Sequence, residues 1–241
     1  MRTETFHTPG DALLRVRVPA GQVDIETVDG AETRVELESD PETEAEATLD
    51  AHGSVVVLEI EERRLLFLRR APEARVRITC PHSARIAFKG VSTNLAVRGR
   101  TGAVEAQNVS GDTEFEHVDG TLEIKSVSGD VAVKTVTEGT AVKTVSGNIR
   151  VDQADGSVTV QSVSGNQRIG SVTEGSVALK SVSGDMLIGV RRGTRIWMDV
   201  KSVGGKTDSE LPIADQPLDG DGPMVELRAT STSGDIRVTR A

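Results

Sequence analysis

The 241-residue sequence has no tyrosine, one tryptophan (Trp197), four phenylalanines (Phe6, Phe67, Phe88 and Phe115) and one cysteine (Cys80). Aromatics make up 2% of the chain, and its 37% hydrophobic content comes mainly from Val, Ile, Leu and Ala, a composition suited to thin stacked β-branched layers rather than a thick globular interior. A single cysteine excludes an intrachain disulfide and a cysteine metal cluster, and Cys80 reads as a core residue. Cations are in deficit, 28 Lys and Arg against 37 Asp and Glu, for a net charge of −9. That balance argues against a general nucleic-acid binder, which needs clustered cations to neutralise phosphates, yet leaves room for a local basic strip. No stretch approaches the roughly 20 apolar residues of a membrane span, and Met1 to Gly10 lacks an apolar signal core. The expectation is a soluble, cytoplasmic chain.

What is abundant is repetition. Val-Ser-Gly-Asp/Asn recurs at Val109, Val127, Val145, Val163 and Val182, with starts 18 residues apart three times and then 19. Halfway between stands a looser motif: Val118-Asp119-Gly120, Val136-Thr137-Glu138-Gly139, Ala154-Asp155-Gly156 and Val172-Thr173-Glu174-Gly175. The unit is therefore about nine residues, used in pairs. A short fixed period with a glycine turn in each unit predicts a solenoid that buries its core by stacking copies. The expected fold is all-β, a single-stranded parallel β-helix with about 18 residues per coil, as two nine-residue units, and capping strands at both ends.

Numbering the unit from its Val, glycine at position three, or four in the Thr-Glu-Gly version, supplies the positive φ of a tight corner. Positions five and seven are apolar in most units and point inward. Positions six and eight point out. Val131, Val133, Val142, Ile149, Val151, Val158, Val160 and Ile169 should be buried, and Lys125, Lys134, Lys143 and Arg150 exposed. Position one is also apolar, so a second bend is expected near positions eight and nine to turn it inward. Coils stacked at roughly 4.8 Å make every outward column a regular row of side chains.

The chain divides into N-terminal strands and cap (1–90), regular repeats (91–190) and a C-terminal cap with closing strands (191–241), all one continuous body. Pro19-Ala20-Gly21 and Val28-Asp29-Gly30 read as turns between early strands. Ser39 to Asp50 reads as a solvated connection, with a helix as the weaker alternative. Arg63 to Arg70, RRLLFLRR, reads as a strand or loop over the open end of the solenoid, the sharper alternative being a partner or membrane-surface patch. Trp197 reads as a lid over the last coil, Asp208 to Pro223 as a loop. With lids at both ends, a monomer or small oligomer is expected.

Phe6-His7-Thr8-Pro9-Gly10, the ladder of Ser-Gly-Asp repeats, Gly189 to Thr194 leading into Trp197-Met198-Asp199-Val200, and the ending Val225 to Ala229 with Gly234-Asp235-Ile236 resemble the bacterial putative-adhesin family of β-strand-repeat domains. The likeness covers nearly the whole chain and looks most like the soluble actinobacterial members. It implies a parallel, right-handed β-helix, and the family is one of unknown function with no catalytic residues to carry over. Two departures stand out: several repeats hold Asn where Asp is usual, and Gln167 occupies an inward column.

No constellation of catalytic, cofactor or metal-binding residues emerges. The Asp/Asn column has one preceding glycine where calcium β-rolls need two, and three of its six members are Asn, so it reads as turn-forming. His7, His52, His82 and His117 are scattered, the serine column lacks a Gly-x-Ser-x-Gly elbow, and there is no phosphate loop. Glu114, Glu116, Glu123 and Asp152 face outward, but a polysaccharide-acting enzyme on this fold also needs aromatic platforms, which are nearly absent. The first reading is a non-catalytic binding or scaffold module, ahead of a self-assembling element and of such an enzyme. The candidate partner-binding face is the strip edged by Lys125, Lys143 and Lys180, with small residues between, suited to a protein or other anionic surface.

Overall fold

A computed structural model describes residues 1–8, 12–61, 63–65, 68–70, 73–211 and 222–241, with no side chains for 63–65 and 68–70. Parallel strands stack coil on coil into one 21-stranded sheet wound about an axis. The register repeats the sequence period: Val131 pairs with Ile149, Ile149 with Gln167 and Gln167 with Met186 on one side, and Leu122 with Thr140, Thr140 with Val158 and Val158 with Val177 on the other. Every inward residue predicted above is buried and Lys125, Lys134, Lys143 and Arg150 are exposed. The alternation assigned these correctly because a one-residue slip would reverse every side chain.

The corner after each exposed Val is built from two stacked columns. Gly111, Gly129, Gly147, Gly165, Gly184 and Gly234 all have φ between 108° and 136°. A Cβ on Gly129 would also overlap the carbonyl oxygen of Gly111 in the preceding coil, and the others repeat that approach. Next to them, Oδ1 of each Asp or Asn accepts the backbone N–H at the same position of the next coil. The chain of acceptors runs from Asn94 to Asp112 at 2.9 Å, Asp112 to Asp130 at 2.8 Å, Asp130 to Asn148 at 2.8 Å, Asn148 to Asn166 at 3.1 Å, Asn166 to Asp185 and Asp185 to Asp235, both 2.9 Å. Only an acceptor oxygen one methylene from Cα is required, so Asp and Asn serve alike.

The opposite corner differs from expectation. Gly120, Gly139 and Gly156 do not have positive φ, and only Gly175, at 99°, does. Gly156 and Gly120 instead admit close backbone approach, while a Cβ on Gly139 would meet nothing within 4 Å.

Both ends depart from sequence order. Leu13–Val28 is one continuous strand through Pro19 and Gly21, and it lies between Arg85–Thr101 on one side and Val55–Glu59 with Glu73–Pro81 on the other. At the far end Met224–Ser233 inserts between Gly175–Ser183 and Arg195–Ser202, and Ile236–Arg240 between Met186–Val190 and Thr207–Ser209. The final strands are thus an interior layer, not the closing one. Antiparallel pairing of Arg2–His7 with Glu32–Glu38, of Glu32–Glu38 with Glu73–Pro81, and of Thr48–His52 with Val55–Glu59 blunts the N-terminal end. Pro41–Glu46 is a short helix capped by Asp40, the weaker of the two readings of that segment. Trp197 is not a lid: it is 45% exposed on the outer wall with the Arg228 guanidinium 5.5 Å from its ring centroid, while Ile196, Met198 and Val200 face the core. The strands Arg63–Leu65 and Leu68–Arg70 pair antiparallel, but the proposed packing of RRLLFLRR, and most of the Asp208 to Pro223 loop, lie outside the described residues.

Gln167 stacks between Ile149 and Met186 in the buried column. Its Nε2 donates to Ser162 Oγ at 2.8 Å and to the Lys180 carbonyl at 3.1 Å, but its Oε1 has no partner. Ser162 Oγ also donates to Ser181, and the Lys180 carbonyl accepts the Ser162 N–H. Gln167→Met, near-isosteric, therefore removes an orphaned acceptor without creating another, and is expected to stabilise by about 1–2 kcal/mol, raising Tm by roughly 2–8 °C in a thermal melt. A lower Tm would mean the amide's two donated bonds outweigh the orphaned oxygen.

Candidate docking face

The strip proposed from sequence is one continuous register ladder. Gln107 pairs with Lys125, Lys125 with Lys143, Lys143 with Gln161 and Gln161 with Lys180, so the three lysines lie on one face. The row also runs further than the repeats announce. Arg17 and Lys89 precede Gln107 in the same column, and Lys180 is followed by Thr230 and then Lys201. Lys89 was readable one residue past the inward Phe88; Arg17 and Lys201 were not, because they join the row only through the reordered end layers.

The lysines are not equivalent. Lys125 Nζ is 2.7 Å from Glu123, and that hydrogen bond and the accompanying charge attraction raise its pKa and lower that of Glu123. Lys89, Lys143 and Lys180 make no ion pair among the described residues. Beside Lys143 and Lys180 the parallel outward column holds Ala141, Thr159 and Ala178, so this stretch is basic and flat. On the face formed by the Ser-Gly units more of the cations are matched: Lys134 is 2.9 Å from Glu116, Arg150 2.6 Å from Asp152 and Arg237 3.5 Å from Asp208, while Arg168, next to Arg150 in the column, makes no ion pair with a described residue.

One column corrects the sequence reading outright. Position one of the Thr-Glu-Gly units is buried, at Val118, Val136, Ala154 and Val172, but position one of the Ser-Gly units is exposed, between 39% and 50%, at Val91, Val109, Val127, Val145, Val163 and Val182. The expected bend at positions eight and nine exists only before the Thr-Glu-Gly corner. Before the Ser-Gly corner the strand alternates without interruption, so position nine turns inward and position one outward. Small polar side chains fill that inward site: Ser126, Thr144 and Ser181 each donate to the carbonyl two residues on, at 3.0–3.1 Å.

The result is a groove running along the axis, with the basic column as one wall, the valines as the other and position nine as its floor. It deepens into a hollow of about 350 Å³ near Lys89, Val109 and Lys125 and another of about 330 Å³ near Lys143, Val163 and Lys180. At roughly 4.8 Å per coil, the six valines span about 24 Å.

The Toastrack family model, DUF4097, matches residues 11–240. The chain belongs to the Toastrack family. The Toastrack chain resembles in fold a putative adhesin from Bacteroides fragilis, at a TM-score of 0.53 and 13% identity, covering 98% of this chain and 96% of that one. Looser matches are a putative adhesin from Parabacteroides merdae (TM-score 0.36, 10% identity, 98% and 95% covered) and a putative lipid binding protein from Parabacteroides distasonis (0.41, 12%, 98% and 96%). No curated protein matches the sequence. The family is a bacterial adhesin-like domain of unknown function, and nothing in the Toastrack match assigns a catalytic residue.

Several carboxylates of the outer wall are held in ion pairs. Glu116 is held low by the Gly99 N–H and by Lys134, and Asp119 by Arg100, whereas a general acid needs a raised carboxyl. Burial pushes the Cys80 thiol up to about 12, which keeps it protonated and unreactive. Among the described residues no three His, Cys, Asp or Glu side chains cluster as metal ligands, and no helix is long and apolar enough to cross a membrane.

Proposed function

We propose that this Toastrack chain is a non-catalytic docking module whose lysine strip receives an anionic partner. The observation that carries this reading is the contrast between faces. Lys143 and Lys180 stand in register without an ion pair to any described residue, Glu123 next to Lys143 being already bonded to Lys125, whereas Lys134, Arg150 and Arg237 on the Ser-Gly face are each held by a carboxylate, all on a body of net charge −9. An unmatched local row within a screening length of about 8 Å is felt by a partner at contact even where the distant field is negative. The flat row Ala141, Thr159 and Ala178 lets that partner approach closely.

The test is parallel capture from lysate of the source cells on immobilised wild type and on the Lys125→Glu/Lys143→Glu/Lys180→Glu triple variant. All three side chains are exposed, so the fold should survive, which circular dichroism checks. The wild type is expected to retain partners that the variant loses, and that 0.5 M salt releases. Recovery of the same partners by both proteins would sink the proposal, with Lys143 and Lys180 as its most sensitive positions.

A further inference from the structure

We propose that an amphipathic α-helix of a partner protein, about 16 residues long, lies along the lysine column and the valine ridge, straddling the narrow groove between them, with an apolar stripe on the valines and an acidic row on the lysines. This deepens the docking reading by naming what docks, and it rests on that reading for the lysine wall.

Three features select a helix. The first is the absence of free backbone: strands cross the groove, and their N–H and C=O groups are bonded coil to coil, with the corner included, as in Ser128 N–H to Val109 C=O at 2.8 Å and Ser146 N–H to Val127 C=O at 2.9 Å. A partner strand binds by pairing with an open sheet edge, and none is presented along this groove, so the occupant must satisfy its own backbone, as a helix does. The floor offers no substitute, since the hydroxyls of Ser126, Thr144 and Ser181 already donate to their own chain.

The second is spacing. The walls repeat every 4.8 Å or so, close to the 5.4 Å pitch of a helix, and 24 Å at 1.5 Å per residue is about 16 residues. Over that length the helix makes about four and a half turns against five coil steps, so its rows and the groove's rows slip by less than one position. An extended chain presents one face every 6.8 Å or so and loses register after two coils.

The third is chemistry. Each valine of the ridge is between 39% and 50% exposed, an apolar row that no part of the described chain covers. Across the floor stand Lys89, Lys143 and Lys180, which make no ion pair with a described residue. A helix with apolar residues at i, i+3, i+4 and i+7 and Asp or Glu along one flank complements both walls at once, which neither a purely acidic nor a purely apolar ligand does.

The experiment selects displayed random 16-residue segments on the intact protein, then measures the enriched peptides by fluorescence anisotropy and circular dichroism. The expected consensus has period-3.6 apolar residues with an acidic flank and becomes helical on binding. Val127→Asp/Val145→Asp/Val163→Asp, all at exposed positions, should weaken it at least tenfold, as should Lys143→Glu/Lys180→Glu. If the lysine variant abolishes binding and the valine variant leaves it intact, the helix inference falls while the basic docking strip stands. If neither variant matters, both fall. A consensus of period two or containing proline, no enrichment at all, or sedimentation with phosphatidylglycerol vesicles in preference to every selected peptide also overturns the inference.

Discussion

Gly129→Val should lower the melting temperature by about 10 °C or more, whereas Gly139→Ala should leave it nearly unchanged. Gly129 has φ of 111° and its missing Cβ would collide with the Gly111 carbonyl. Backbone strain of about 1–3 kcal/mol adds to an overpacking term of similar size, and in a chain of this length each kcal/mol shifts Tm by about 2–4 °C. The damage should spread, since moving the corner also pulls the Asp130 N–H from Asp112 and the Asn148 N–H from Asp130. Gly139 sits at the other corner without positive φ and with open space around it, so a methyl there is expected to change stability by less than about 1 kcal/mol. Thermal melts of the two variants beside wild type decide the matter. Equal losses would show that the two corners are equivalent and that the glycine column is not the constraint described.

The second large effect is a paradox of truncation: deleting 224–241 should be worse for order at the C-terminal end than deleting 191–241, which removes more. The shorter deletion takes out an interior layer that buries Val225, Leu227, Ala229, Ile236 and Val238, each 1% exposed or less. At about 1.5–3 kcal/mol per fully buried side chain, these alone match the usual 5–15 kcal/mol of net stability. Residues 195–209 would be left with no strand to pair with, since among the described residues their strand partners lie within 224–238. The longer deletion ends the array at Gly175–Val190, a complete coil with an open edge. Limited proteolysis should cut rapidly within 195–211 in the first variant and spare Val131–Val190 in both, with the second variant self-associating through its edge on sedimentation. Protection of 195–211 in the first variant would mean that the outer strand slides inward to replace the missing layer, and that the interleaved order is dispensable.

The candidate face shows how far single residues carried the reading. Lys125, Lys143 and Lys180 were visible as a row because outward columns follow directly from an 18-residue period. Their inequality was not visible, because the Glu123 partner of Lys125 and the alanines beside Lys143 and Lys180 matter only through distance and rotamer. The valine ridge was misread for a specific reason: apolar character at position one suggested burial in every unit, but its direction depends on whether the preceding strand is interrupted. Small residues at position nine, Ser126, Thr144, Ser162 and Ser181, were the available signal, since a serine or threonine that can bond the carbonyl two residues on can be turned inward. The sequence also hid the outer strands' partners. Repeats so alike can pair with several neighbours, and nothing local distinguishes Met224–Ser233 as an inner layer from the same strand as a lid.

Coil length, the inward and outward columns and the Ser-Gly corner were thus determined by the sequence itself, since alternation and turn stereochemistry act within one nine-residue unit and are copied from unit to unit. The tertiary structure alone decided the order of layers at both ends, the exposure of the valine ridge, the extension of the basic column through Arg17 and Lys201, and which lysines stay unpaired. Those depend on which strand edges meet and where each bend falls against the coil beneath it, contacts between residues up to 75 positions apart, as in Thr93 donating to the Val18 carbonyl. Short-range rules leave such choices nearly degenerate, and packing resolves them.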